Sequence, residues 1–252
     1  GNAAMWWDYD EDGWMDLYIS NDFQEGDFLY RNQGDGTFVE SIREATPNTP
    51  WFSMGSATGD LNNDGRLDAL VGDMAATTHY AAKVNMGSMK SFFHFLDHSE
   101  PRQFMRNALY LGTGTRRLLE VASLTGLAKT DWTWAIKLGD LNNDGRLDAY
   151  ITNGMSRNFG HADITPPTHK DLVGNTIWDL YIDEPKRMEK NLAFRNEGDL
   201  QFVPVGNAWG LDHLGISMAS ATGDLDGDGD LDLVTANLDE ADHLYRNGSV
   251  DG

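Results

Sequence analysis

Short β-branched and aromatic runs alternate along the chain with polar segments rich in aspartate and glycine. Four of these runs stop at a turn-favouring Asn or Asp, and they span residues 16–20, 68–72, 148–152 and 232–236. A predicted strand precedes each run; residues 53–59 and 217–223 are nearly identical and rich in small side chains, and residues 2–7 and 132–139 occupy the same place. Small side chains suit strands that converge on a crowded axis. The pattern therefore predicts four β-hairpins, each beginning with a strand of small residues.

Further strands are predicted after each hairpin. The third strands span residues 28–32, 108–111, 192–196 and 244–247, and the fourth strands span residues 37–40, 118–121 and 201–203. Four antiparallel strands per unit, repeated along a chain, are typical of the blades of a β-propeller. We therefore predict an all-β propeller region with about four blades, which span residues 1–52, 53–131, 132–216 and 217–252.

A nine-residue motif, D-x-[DN]-x-D-G-x-x-D, connects the first two strands of every unit, and its copies start at Asp8, Asp60, Asp140 and Asp224. Oxygen atoms at positions 1, 3, 5 and 9 and the carbonyl at position 7 can converge on one point, while the glycine at position 6 permits a sharp turn. A shell of hard oxygen donors favours Ca²⁺. We expect about four Ca²⁺ ions, one per copy.

The candidate ligands follow from these positions. The side-chain ligands are Asp8, Asp10, Asp12 and Asp16; Asp60, Asn62, Asp64 and Asp68; Asp140, Asn142, Asp144 and Asp148; and Asp224, Asp226, Asp228 and Asp232. The backbone carbonyl ligands are those of Trp14, Arg66, Arg146 and Asp230.

Two other interpretations of the motif are less consistent with the sequence. An EF-hand needs a glutamate at position 12 and flanking helices, whereas position 12 is occupied by Ile19, Val71, Ile151 and Thr235 and strand-like runs follow. Tight turns without an ion would explain one copy, because Asp and Gly are ordinary turn residues. Four copies with Asp at positions 1, 5 and 9 favour metal binding, since unpaired carboxylates repel each other and raise one another's pKa values.

Composition narrows the function further. The chain has 40 acidic and 19 basic residues and a formal net charge of -21, which argues against a nucleic-acid partner and against binding to anionic membranes. It contains no apolar run long enough to insert in a membrane and no cysteine. No G-x-S-x-G, P-loop or H-E-x-x-H motif is present, so we expect a protein that is not an enzyme.

The motif and its surroundings resemble a known family. The motif followed by L-Y-R-N-Q-G-D-G-T-F (residues 29–38) is similar to the FG-GAP/VCBS repeat of integrin-α-type propellers. The segments A-K-T-D-W-T-W-A (128–135) and N-L-A-F-R-N (191–196) look closest to the bacterial secreted ASPIC/UnbV, or cartilage-acidic-protein-like, group. The resemblance implies a seven-bladed ring, completed by blades of the same or another chain.

The resemblance also implies a role. We expect a non-catalytic, calcium-binding recognition or adhesion scaffold with a protein or glycan ligand. The alternative is a lectin, or an accessory propeller of a larger carbohydrate-active enzyme. Extracellular modules bind calcium at roughly 10⁻⁴ to 10⁻³ M, far above resting cytosolic levels, so an extracellular, periplasmic or cell-surface location is expected.

Two insertions lengthen the second and third units, at about residues 74–106 and 155–190. The first has helical spacing of Met89, Phe92, Phe93 and Leu96, which predicts a helix packed on the propeller face or binding a partner. Its His94 and His98 are the weaker hypothesis of a transition-metal site. The second is expected to be helical around residues 172–181, where Trp178 and Tyr181 could stack on a sugar or form part of the core.

Overall fold

The computed structural model describes residues 1–23, 25–85, 98–158, 160–163 and 173–249. The first strands in chain order are β1 (Ala3–Trp7), β2 (Asp16–Ser20), β3 (Phe28–Asn32), β4 (Phe38–Glu40), β5 (Asn48–Pro50), β6 (Ser56–Gly59), β7 (Asp68–Val71), β8 (Arg102–Phe104), β9 (Ala108–Leu111) and β10 (Leu119–Glu120). The remaining strands are β11 (Thr133–Gly139), β12 (Asp148–Asn153), β13 (Glu189–Lys190), β14 (Leu192–Asn196), β15 (Phe202–Pro204), β16 (Leu214–Gly215), β17 (Ser217–Gly223), β18 (Asp232–Asn237) and β19 (His243–Tyr245). The described helices are short: Ile42–Ala45, His79–Val84, Ala122–Thr125, Ile177–Tyr181 and Gly206–Trp209.

Four antiparallel sheets follow one another along the chain. Sheet 1 has the order β1-β2-β3-β4, sheet 2 the order β6-β7-β9-β10 and sheet 3 the order β11-β12-β14-β15, while sheet 4 consists of β17-β18-β19 in the described residues. The pairs β5–β8, which is parallel, and β13–β16, which is antiparallel, lie outside these sheets. The sequence prediction of an all-β chain built mainly of antiparallel sheets is confirmed.

The first hairpin of every sheet has the same register. Its innermost pair joins position 9 of the motif to the residue before position 1, as in Trp7↔Asp16 and Gly59↔Asp68. The same pairing recurs as Gly139↔Asp148 and Gly223↔Asp232. Strands therefore flank all four motifs, which agrees with the rejection of an EF-hand.

The first strands of successive sheets lie side by side, because β1 contacts β6, β6 contacts β11 and β11 contacts β17. Small residues permit this approach. A Cβ atom on Gly55 would lie 2.5 Å from the carbonyl oxygen of Trp134, and one on Gly59 would lie 2.5 Å from Cδ1 of Leu147. The strands of small residues thus lie where neighbouring sheets come closest.

Apolar layers fill the spaces between successive sheets. Trp7, Tyr18 and Tyr110 are buried in the cluster shared by sheets 1 and 2. The cluster between sheets 2 and 3 includes Leu70 and Ile151, with further buried residues Leu61, Leu109, Leu127, Ile136 and Phe194. Leu141, Tyr150, Leu211 and Leu233 form the layer between sheets 3 and 4. Burying a side chain of this size contributes about 1.5–3 kcal/mol, so these layers hold the sheets in sequence.

The two insertions contain helices where the structure describes them. The helix His79–Val84 begins at Thr78, whose Oγ1 accepts the N–H of Ala81 at 3.2 Å. The helix Ile177–Tyr181 begins with a capping box between Thr176 and Asp179. Three sequence predictions fall outside the described residues or atoms: the helix bearing Met89, Phe92, Phe93 and Leu96, His94 of the His94–His98 pair, and the side chain of Trp178. Among the described helices, none is long and apolar enough to cross a membrane.

Candidate metal centres

The four copies of the motif form loops with a shared backbone; we call them loop 1 (residues 8–16), loop 2 (60–68), loop 3 (140–148) and loop 4 (224–232). Position 4 is left-handed in each, with φ of 59° at Glu11, 57° at Asn63, 59° at Asn143 and 81° at Gly227. The glycine at position 6 is also left-handed, as the motif predicted. These two left-handed residues make the chain turn sharply between positions 3 and 7 of every loop.

The aspartate at position 1 organises the turn. In loop 2, Oδ1 of Asp60 accepts the N–H of Asp64 at 3.1 Å, and its Oδ2 accepts the N–H of Gly65 at 2.9 Å. Corresponding bonds to positions 5 and 6 are made by Asp8, Asp140 and Asp224. In every loop the position-5 carboxylate accepts the N–H of position 7, at 2.9 to 3.1 Å.

Loops 1 and 4 bring their carboxylates closest together. One oxygen each from Asp8, Asp10 and Asp16 lies within 4.8 Å of the others, and Asp224, Asp226 and Asp228 form a similar group in loop 4. In loops 2 and 3, position 3 is an asparagine, and its Nδ2 donates to the position-5 carboxylate: Asn62 to Asp64 at 3.1 Å and Asn142 to Asp144 at 2.9 Å. The structure therefore gathers the predicted side-chain ligands of positions 1, 3 and 9 in loop 1 and of positions 1, 3 and 5 in loop 4.

The environment of Asp10 shows that loop 1 fits a cation. Its side chain is only 4% exposed, and its Oδ2 lies 3.6 Å from Nε of Arg116. Its Oδ1 is buried without a hydrogen-bond partner among the described residues. Burial raises the pKa of Asp10, and the carboxylate of Asp12 raises it further. A buried oxygen without a partner is costly, and a cation among these donors would satisfy it.

The aspartate at position 9 has a second role, which the sequence analysis missed. Asp16, Asp68, Asp148 and Asp232 are buried, and Oδ2 of each accepts the N–H of position 2 in its own loop at 2.9 to 3.1 Å. Oδ1 of each accepts a second N–H near the end of the third strand, from Asn32 at 2.7 Å, Gly112 at 3.0 Å, Asn196 at 2.9 Å and Asn247 at 2.8 Å. One carboxylate thus joins the loop, the second strand and the third strand.

Burial raises the pKa of Asp16, Asp68 and Asp148 to about 6 each, although backbone N–H donors oppose this shift. Since each oxygen of a carboxylate has two lone pairs, the hydrogen bonds leave room for an ion. The ionised form would be favoured once a divalent cation is bound. These residues therefore fit two roles. Each is a structural clamp, by which we mean a side chain that holds neighbouring segments together by hydrogen bonds, and each is suited to bind the ion.

Arginine side chains also face the loops. Nη2 of Arg146 lies 2.6 Å from Oδ2 of Asp144, and Nη1 of Arg66 lies 3.8 Å from Oδ2 of Asp64. Arg246, from beyond the third strand of sheet 4, contacts both Asp226 and Asp228. The motif predicted a role for Arg66 and Arg146 only through their backbone carbonyl oxygens, as ligands of the ion. Their guanidinium groups offset part of the loop charge from the solvent side.

A second set of clamps lies at the opposite end of the sheets. The residue before each third strand accepts an N–H from the end of the second strand: Asp27 from Asn21 at 2.8 Å, Asn107 from Asp73 at 2.7 Å, Asn191 from Asn153 at 3.0 Å and Asp242 from Asn237 at 2.9 Å. The sequence analysis did not identify these residues. Their signal was an Asp or Asn directly before three of the predicted third strands, and two residues before the predicted strand 244–247.

Three of these residues also bond to the next sheet. Ser53 Oγ donates to Asp27 Oδ2 at 2.7 Å, and Asn191 Nδ2 donates to Ser217 Oγ at 2.8 Å. Asn107 Nδ2 donates to Thr130 Oγ1 at 2.7 Å. These side chains connect the second and third strands of one unit to the segment that enters the following unit.

Asp27 and Asp73 are the most deeply buried carboxyl groups outside the loops. Burial raises the pKa of Asp27 to about 6 and that of Asp73 to about 7. Asp73 accepts the N–H groups of Trp51 at 2.9 Å and Met74 at 2.6 Å. Asp27 accepts the N–H of Asn21 and the hydroxyl groups of Tyr18 and Ser53. Since donors from neighbouring segments surround both groups, their geometry is that of structural clamps.

A family model described as an FG-GAP-like repeat matches residues 8–71 and 101–151, which include loops 1, 2 and 3. Residues 8–71 and 101–151 therefore consist of FG-GAP-like repeats, and the resemblance noted from the sequence is confirmed at that level. No curated protein matches the chain significantly. FG-GAP repeats are typical of integrin-like adhesion and recognition domains, are generally non-catalytic and are typically extracellular. The closer resemblance to ASPIC/UnbV proteins stays a prediction.

Proposed function

We propose that this chain is part of a calcium-stabilised β-propeller that serves as a non-catalytic recognition or adhesion scaffold. The observation that carries the proposal is the repetition of one donor arrangement in four loops. Each loop holds oxygen donors at positions 1, 3, 5 and 9, with the position-7 carbonyl of Trp14, Arg66, Arg146 or Asp230 as a further ligand. We propose about four Ca²⁺ ions on this basis.

Charge supports calcium as the occupant. The chain carries a formal net charge of -21, and the motif places three or four carboxylates at the side-chain ligand positions of every loop. Oxygen donors without nitrogen or sulfur match a hard cation. At ~2 mM Ca²⁺ and a Kd of ~0.1 mM, mass action stabilises the folded state by about 1.8 kcal/mol per site. Calcium would fix the turn of each first hairpin.

The order of the sheets supports the propeller. Each successive pair of sheets has adjacent first strands and a shared apolar layer. This is the relation between neighbouring blades around an axis. We propose that further blades, from the same or another chain, complete the ring, and that residues 1–52, 53–131, 132–216 and 217–252 correspond to the blades present.

The insertions support a recognition role. The loops lie at the beginning of each second strand, whereas the insertions at residues 74–106 and 155–190 leave from the end of the second strand. The two features are therefore at opposite ends of the strands, and the described parts of the insertions lie at the end without the loops. Long connections on one face of a repeat protein often bind the ligand. We propose a protein or glycan ligand on this face and an extracellular, periplasmic or cell-surface location.

Thermal melting tests whether calcium binds to and stabilises the protein. Protein treated with EDTA should unfold several degrees below protein in 2 mM Ca²⁺, since about four sites at about 1.8 kcal/mol each would be lost. Magnesium at the same concentration is the control, because it demands octahedral geometry and retains its water. Identical melting curves with and without calcium would refute the proposal.

A further inference from the structure

The residue at position 4 of three consecutive loops reaches into the loop that follows. Its side chain is not a ligand in the proposed calcium site, and the sequence analysis gave it no role. The contacts are Glu11 Oε1 with Arg66 Nε at 2.9 Å, Asn63 Nδ2 with the Gly145 carbonyl oxygen at 3.0 Å, and Asn143 Nδ2 with Asp230 Oδ1 at 2.5 Å.

Both ends of every contact lie within the turn that would surround an ion. Position 4 lies between the donors at positions 3 and 5, and its left-handed backbone directs the chain around the centre. The contacted residue is at position 6 or 7, and position 7 supplies the proposed carbonyl ligand. A contact of this kind therefore joins the ligand-bearing turn of one loop to that of the next.

We propose that these contacts couple the loops, so that a cation bound in one loop raises the affinity of its neighbour. This inference rests on the proposed calcium function. An ion restricts the turn that holds it, and the position-4 side chain passes part of that restriction to the next turn. The second ion then pays a smaller ordering cost, which is positive cooperativity.

The residues at position 4 suit this role in different ways. Asparagine tolerates the left-handed backbone of loops 2 and 3 and still offers a donor to the next loop. Glu11 is less suited to that backbone, but its carboxylate forms an ion pair with Arg66. Loop 4 has Gly227, which keeps the turn and has no side chain to reach further. A glycine substitution therefore removes the contact in any loop without opposing its backbone conformation.

Terbium luminescence can test the coupling between loops 1 and 2. Terbium(III) replaces calcium and emits when a nearby indole is excited, and Trp14 is the only tryptophan within the four loops. Trp14→Phe assigns the signal to loop 1, since the proposed ligand there is the backbone carbonyl. Loop 2 is then emptied by Asp60→Ala with Asp64→Ala, and the Kd of loop 1 for terbium is measured.

We expect the Kd of loop 1 to rise about fivefold or more when loop 2 is emptied, within the usual range of coupling between sites. In the Glu11→Gly background, emptying loop 2 should cause no further change. Asp35→Ala with Glu44→Ala is the matched control, because it removes two exposed charges outside the loops. It should leave the Kd nearly unchanged.

Two results would overturn the coupling. One is a loop-1 Kd that does not respond to emptying loop 2 although terbium binds; the other is an equal response with and without Glu11. If wild-type protein gives neither indole-sensitised emission nor heat on calcium addition, the calcium function itself fails. The experiment thus separates the failure of the coupling from the failure of the proposed function.

Discussion

The backbone N–H of Asn196 donates a hydrogen bond of 2.9 Å to Oδ1 of Asp148, so the end of one strand is held by the first residue of its neighbour. Oδ2 of the same carboxylate accepts the N–H of Leu141 at 3.0 Å. Equivalent pairs occur in the other three sheets. The last aspartate of each motif is therefore required by the strands themselves as well as by the proposed ion.

Asp148→Ala should destabilise the protein even when calcium is removed. The change leaves two N–H groups, of Leu141 and Asn196, without their acceptor, and each such loss costs about 1–3 kcal/mol. Urea unfolding in EDTA should show a decrease of about 2–4 kcal/mol in the free energy of unfolding. Asp183→Ala is the matched control, because it removes an exposed aspartate outside the loops and should cost less than about 0.5 kcal/mol in EDTA. Equal effects of the two variants would contradict the role of Asp148 in holding the strands together.

Asn191→Ala should weaken the contact between sheets 3 and 4. Its amide donates to Ser217 and Tyr150, and its oxygen accepts the N–H of Asn153. Removing these bonds in the core should lower the free energy of unfolding by about 2–4 kcal/mol. Asn207→Ala, at an exposed asparagine, is the control and should change it by less than about 0.5 kcal/mol. A similar small change in both variants would contradict the role of Asn191 in joining the sheets.

Gly55→Ala should disturb the approach of β6 to β11. The new Cβ would lie 2.5 Å from the carbonyl oxygen of Trp134 and 3.0 Å from Cα of Ala135, both backbone atoms that cannot rotate away. We expect a loss of about 1–3 kcal/mol in chemical denaturation. Gly26→Ala is the control, since nothing lies within 4 Å of its Cβ. An unchanged stability of Gly55→Ala would mean that the first strands are further apart than described.

Calcium affinity should decrease as the pH falls through about 6. The pKa of Asp16, Asp68 and Asp148 is raised to about 6 in the absence of metal, so below that pH protons compete with the ion. Without calcium, the pH has the opposite effect on the stability contributed by these aspartates. A raised pKa in the folded state contributes stability at low pH that is lost as the pH rises through about 6.

Melting curves recorded in EDTA and in calcium between pH 4.5 and 7.5 can check the direction of the pH effect with and without the ion. The stabilisation by calcium should be largest at pH 7.5 and smallest at pH 4.5. A calcium effect independent of pH would show that these aspartates are not coupled to the ion.

The sequence predicted the strands and the loop positions well, because the motif combines turn chemistry with a strand of clear period. Asp8 to Asp16 illustrates this: glycine at position 6, alternating donors and the following strand are all local signals. The long-range partners were not predictable in this way. The bonds of Asp148 to Asn196, and of Asn191 to Ser217, depend on how strands and sheets meet, which no local pattern specifies.

The position-4 contacts show the same limit. Glu11 differs from Asn63 and Asn143, and asparagine is an ordinary turn residue, so no local pattern singled out position 4. Their common role emerges only when neighbouring loops are brought side by side by the adjacent first strands. The asparagine at the end of β14 is another case, since its Nδ2 donates to the carbonyl oxygen of Leu61 in the preceding unit at 2.9 Å.

A crystal structure of the protein grown with calcium, with anomalous difference density measured, tests the central claim most directly. The account predicts one strong peak in each of loops 1 to 4, with oxygen atoms of positions 1, 3, 5, 7 and 9 at about 2.3–2.6 Å. Loops without anomalous density at millimolar calcium, with Asp10 Oδ1 still unpaired or bonded to water, would contradict it.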